Sequence, residues 1–82
     1  MDGVMVSQTT LKPQTRVRLR DNPFGVQLRS MSGYIERLEL SSGCYIVQLD
    51  EPAIYFHADG TTEDLPAVRE AGDNLIVEHM EQ

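Results

Sequence analysis

From Thr15 to Arg20 polar and apolar side chains alternate without a break, so that Val17 and Leu19 fall on one face of an extended chain and Arg16, Arg18 and Arg20 on the other. A two-residue period of this kind belongs to a strand buried on one side only. It returns in residues 44–49, where Tyr45, Val47 and Leu49 share a phase, and again in Leu75 and Val77. Runs this short cannot be stable alone and must find partners across a sheet. The chain has 82 residues, which leaves room for one hydrophobic core and no second domain. Its 40% hydrophobic and 24% charged residues are those of a globular protein rather than a disordered one.

Between the alternating runs the text is punctuated by turns. Asp21-Asn22-Pro23 stops the first strand, because proline supplies no ladder N–H, and residues 24–31 follow as a long loop. The next strand, residues 34–40, carries Ile35 on one phase and Leu38 and Leu40 on the other, so a β-bulge near Glu36 and Arg37 is expected to bring all three inward. Ser41-Ser42-Gly43 makes a hairpin turn. Asp50-Glu51-Pro52 ends or diverts the third strand, and residues 54–57 form a fourth, closed by Asp59-Gly60. Residues 65–72 are the only helical text, with Asp64 as N-cap, Pro66 in the first turn and Gly72 after the end. They predict one short helical or 3₁₀ turn before the last strand, residues 74–78. Residues 1–14 have no sustained period and predict a flexible N-terminal arm, with the folded domain spanning residues 15–82.

The runs Thr-Arg-Val-Arg-Leu, Ser-Gly-Tyr-Ile-Glu-Arg, Gly-Cys-Tyr-Ile-Val-Gln-Leu-Asp-Glu-Pro and Asp-Asn-Leu-Ile-Val resemble the strand pattern of bacterial SH3-like and KOW-like barrels. The resemblance covers about residues 15–79 and implies an all-β, five-stranded SH3-like barrel. It rests on strand, turn and core positions, so it carries an architecture and no particular function.

Charge and cysteine usage narrow the setting. Cys44 is the only cysteine, which excludes an internal disulfide and a multi-cysteine zinc site and favours a reducing, cytoplasmic environment. Residues 1–10 contain Asp2 and neither lysine nor arginine, unlike a signal peptide, and no apolar run reaches membrane length. The net charge of −6 divides into +2 over residues 1–49 and −8 over residues 50–82. Much of that asymmetry is expected to cancel in cross-strand pairs, the remainder giving a bipolar surface.

Candidate chemistry is sparse. His57 and Asp59 offer two metal ligands on a turn and His79 a third, without a ligand-spacing signature, so no metal is assigned. Cys44 with His57 or His79 is the one cysteine–histidine combination, but a lone cysteine inside a strand reads as a small hydrophobe. There is no glycine-rich phosphate loop and no serine nucleophile motif, so neither catalytic residues nor a cofactor are assigned. Arg16, Arg18 and Arg20, about 6–7 Å apart on one strand face, are spaced to follow a phosphate backbone, against which the overall acidity weighs.

The aromatic residues are the best binding material. Tyr55 and Phe56 are adjacent and must point to opposite sides of a strand, which leaves one of them exposed, and Phe24 lies in the long loop. The expected function is a small non-catalytic docking module that binds a protein partner. Residues 21–31 and 54–62 carry the contact, through Phe24, Tyr55 and Phe56 with help from Arg16, Arg18 and Arg20. Two alternatives remain at this point: an oligomeric barrel with a ligand or enzymatic site between subunits, and a nucleic-acid accessory domain.

Overall fold

A computed structural model describes residues 10–78. The chain is all-β: β1 (Arg16–Leu19), β2 (Val26–Gln27), β3 (Ser32–Glu39), β4 (Cys44–Phe56), β5 (Thr62–Glu70) and β6 (Leu75–Val77), with a 3₁₀ turn at Gly72–Asn74. Every pairing is antiparallel. The strands run β2-β4-β3-β1-β6 with β5 on the other edge of β4, in one six-stranded sheet that does not close on itself.

The alternating runs behave as their period requires. Val17 and Leu19 are buried while Arg18 and Arg20 are exposed, and Tyr45, Val47 and Leu49 all face the core. Ile35, Ala53, Val68 and Leu75 complete that core. The bulge expected near Glu36 and Arg37 is present as a register shift between Ile35 and Arg37. It turns Ile35 fully inward and sets Leu38 against the core, yet Leu40 remains 85% exposed. β3 ends at Glu39, so Leu40 belongs to the hairpin turn, where Gly43 in left-handed conformation (φ 74°) donates its N–H to Glu39 O at 2.9 Å.

Two expectations need correction. Residues 44–49 and 54–56 are not separate strands but parts of the 13-residue β4, which passes through Asp50-Glu51-Pro52 with a break in its register and ends before His57. Residues 65–70, expected to be helical, belong to β5. The reason is tertiary: so long a β4 presents an unpaired edge, and filling it with ladder hydrogen bonds outweighs weak local helix preference. Pro66 is tolerated because β5 pairs with β4 at Leu65↔Ala53 and Ala67↔Gln48, leaving it opposite the irregular stretch where no ladder donor is needed. The 3₁₀ turn before the last strand lies further along, at Gly72–Asn74, where Asn74 N donates to Ala71 O at 3.0 Å.

Before β1, Leu11 packs against the core and its N–H donates to Tyr45 Oη at 3.0 Å. Gln14 N donates to Ile35 O at 2.7 Å and Ile35 N to Thr15 O at 2.9 Å, which carries the β1–β3 pairing past the end of β1. Gly33, paired with Val17 on one side and Leu49 on the other, lies where three strands crowd together. A Cβ there would overlap the Gln48 carbonyl oxygen and lie 3.0 Å from its carbon and 3.1 Å from Leu49 Cα.

Candidate docking site

The segment between β1 and β3 is tied down along its length rather than free. Leu19 N donates to Met31 O at 2.8 Å, Leu28 N to Asn22 Oδ1 at 2.8 Å, and Val26 N to Pro23 O at 3.1 Å. The last of these closes a tight turn over Pro23-Phe24-Gly25-Val26, with Gly25 at φ 77° and Phe24 at ordinary negative φ. That is the type II arrangement, which requires a residue such as glycine in third place. The turn is pinned to β4 by Phe56 N donating to Gly25 O at 3.1 Å and by β2 pairing with Ile54 and Tyr55. Phe24, at the second position of this anchored turn, is fully exposed.

Beside the turn is a shallow groove of about 340 Å³. Pro23 and Val26 form its wall on the loop side, Ile46 and Tyr55 come from β4, and Leu65, Ala67, Val68 and Arg69 come from β5. These residues share one groove because the register break in β4 and β5 shifts the facing of side chains along the hairpin. Tyr55 is half-buried, its ring edge-on to His57 with centroids 4.8 Å apart. Arg69 is the one charged residue of the lining, and its head is held by Glu39, Nε to Oε1 at 2.8 Å. Ser42 Oγ donates to the same carboxylate at 2.7 Å, and Ser42 first, then Arg69, hold Glu39 below its ordinary pKa.

The expected binding residues therefore separate. Tyr55 lines the groove and Phe24 projects from the turn whose Pro23 and Val26 form its wall, while Phe56, 48% exposed, has the opposite strand phase to Tyr55 and does not line it. Arg16, Arg18 and Arg20 lie on the β1 side, with β3 between them and β4. Arg16 forms a two-pronged pair with Asp50, Nη1 to Oδ1 at 2.9 Å and Nη2 to Oδ2 at 2.6 Å. That hydrogen bonding raises the arginine's pKa and lowers the aspartate's. Arg20 Nε donates to Asp73 O at 3.0 Å, and Arg18 stands exposed opposite Ser32 and Ile76.

The remaining polar groups among the described residues are engaged in separate contacts. His57 Nε2 lies 2.9 Å from Glu63 Oε1, while Asp59 accepts from Thr61 at 2.7 and 3.0 Å, so the two candidate ligands are engaged separately; His79 lies outside the described residues. Among the described residues no group of three or more histidines, cysteines or carboxylates could hold a metal. Cys44 begins β4 and His57 follows its end, which places them at opposite ends of a 13-residue strand. Glu70 is the one buried charged residue among those described. Asn74 Nδ2 donates to its Oε1 at 2.6 Å, and burial pushes the carboxyl's pKa upward against that hydrogen bond.

Sequence reasoning missed Ile46 and the four β5 residues of the lining. The available signal was Ala67-Val68-Arg69-Glu70, where Val68 and Glu70 share a phase and both are buried. No family model matches the chain, and neither a curated protein nor a solved structure matches it. No helix among the described residues is long and apolar enough to cross a membrane.

Proposed function

We propose that this domain is a non-catalytic docking module for a protein partner, and that it is an SH3-like barrel with an open seam. The order β6-β1-β3-β4-β5 of the longer strands and the 3₁₀ turn before β6 support the architecture. On this reading β2 is a two-residue addition to a five-stranded plan. A cytoplasmic location goes with the single free cysteine.

The observation that carries the function is a fully exposed phenylalanine held in a pinned turn beside an apolar groove. An exposed aromatic contributes almost nothing to folding, whereas one held in place in advance loses little entropy on binding. The groove matches the low end of the roughly 300–1,000 Å³ of ligand sites and is open and apolar, suited to one or two partner side chains. Phe24 and Tyr55 supply the anchor, and Phe56 and the β1 arginines lie outside the contact.

The test is affinity capture from the source cell with the intact chain and with Phe24→Ala and Tyr55→Ala combined, each checked for an unchanged fold by circular dichroism. Loss of specific capture in the folded variant is expected. A folded variant that captures the same protein equally well would overturn the proposal.

A further inference from the structure

We infer that the Asp59-Gly60 bond, at the tip of the hairpin joining β4 to β5, is a site of spontaneous isoaspartate formation, and that Thr61 holds the reaction back. Asp59 and Gly60 are both exposed and neither lines the groove, so the site is separate from the docking surface. The chemistry needs an aspartate followed by a residue whose amide nitrogen is open to the aspartate side chain. Gly60 has no Cβ to obstruct that approach, and nothing lies within 4 Å of where one would be.

The Gly60 nitrogen gives up its proton and bonds to Asp59 Cγ, while a carboxyl oxygen departs as water with that proton and the carboxyl's own. A second water then opens the five-membered succinimide. Attack at Cγ restores aspartate. Attack at the main-chain carbonyl breaks its bond to nitrogen and leaves the chain running through Cγ, as isoaspartate. Nothing is oxidised or reduced, and the mass is unchanged.

The folded turn opposes the first step at both reacting groups. Asp59 Oδ1 accepts from Thr61 Oγ1 at 2.7 Å and from Thr61 N at 3.0 Å, and Gly60 N donates to His57 O at 3.0 Å. Only the protonated carboxyl can release water. The Thr61 hydroxyl first, then its N–H, favour the charged form and hold the Asp59 pKa below its ordinary value, which depletes the reactive form at neutral pH. Freeing the Gly60 N–H also means opening the turn, because His57 N donates to Thr61 O at 2.9 Å across the same tip. Isoaspartate, once formed, lengthens the main chain of this turn by one carbon and loosens both of those bonds.

The test holds the full chain at neutral pH, folded in buffer or unfolded in guanidinium chloride, and digests samples at intervals with an endoproteinase that cuts before aspartate but not before isoaspartate. Peptide mapping separates Asp59-Gly60 from Asp2-Gly3, the other Asp-Gly bond of the sequence. The folded intact chain is expected to convert slowest at Asp59 and the unfolded chain fastest. Folded Thr61→Val, which keeps the N–H and loses the hydroxyl, is expected to lie between them. It should convert about two- to ten-fold faster than the folded intact chain, as the loss of one hydrogen bond of ordinary net strength implies. In guanidinium chloride the two chains are expected to convert alike, which separates the effect of the folded turn from that of the residue type. A folded Thr61→Val chain that converts no faster than the intact one, or a folded intact chain that converts as fast as the unfolded one, would overturn the inference. So would an unfolded chain that forms no isoaspartate at this position.

Discussion

Replacing Gly33 with alanine tests the packing on which the whole sheet depends. The added methyl group meets backbone, not a flexible side chain: it overlaps the Gln48 carbonyl oxygen and lies 3.0 Å from its carbon and 3.1 Å from Leu49 Cα. Gly33 has no positive φ that would penalise alanine by itself, so the cost is purely one of space. Relief requires moving β3 away from β4, and with it the pairs Gly33↔Leu49 and Gly33↔Val17. Overpacking a well-filled interior costs about 1–3 kcal/mol, and an obstacle made of backbone belongs at the upper end, near 3 kcal/mol.

For a domain of this size that corresponds to a fall of roughly 12–24 °C in Tm. Against a total stability of about 4–12 kcal/mol it is a large fraction. Urea denaturation followed by circular dichroism measures it, with Gly60→Ala as the reference. Gly60 has φ 94° and nothing within 4 Å of a built Cβ, so alanine there brings backbone strain of about 1–2 kcal/mol without a steric clash. A Gly33→Ala loss below about 0.5 kcal/mol, at unchanged m, would refute the argument from close approach.

Glu70→Gln is expected to stabilise the protein at pH 7, because it removes a charge that burial disfavours while keeping an oxygen for Asn74. The folded-state pKa of Glu70 is raised, so the folded chain binds this proton more tightly than the unfolded one. Its contribution is full below the unfolded pKa and is lost as pH rises through the folded value. The difference between variant and parent, read as urea midpoints, should therefore shrink as pH falls from 7 toward about 4; a constant difference would refute this. Arg16→Ala should leave the denaturation midpoint nearly unmoved, since the pair with Asp50 is exposed, yet raise the Asp50 pKa seen by NMR titration. An unmoved titration would mean that the pair does not form in solution.

The strands that could be read from the residues are those whose burial keeps one phase. In β1 and the first half of β4 every second residue meets the core, and the conflict of phase between Ile35 and Leu38 itself marked the bulge in β3. Reading failed where the register breaks. Between Gln48 and Ala53 the phase of β4 resets, so one long strand looks like two with a stop between them. Across from that break, Asp64 and Pro66 look like the start of a helix, because local text cannot reveal that the facing edge of β4 lacks a partner. The candidate site divides along the same line. Phe24 and Tyr55 are visible as excess aromatics, whereas Leu65, Ala67 and Val68 become groove lining only after β5 pairs with β4.

Pro66 has a consequence that reaches beyond the strand it occupies. Among the described residues β5 pairs only with β4, so its nine residues border the sheet with one side free of them, the kind of border on which foreign strands nucleate and fibrils grow. A proline midway along that border, set where the ladder to β4 is itself broken, makes the border irregular for an incoming strand, and the exposed carboxylates of Glu63 and Asp64 repel a second acidic chain approaching it. The domain thus guards against runaway strand stacking at the margin of its sheet.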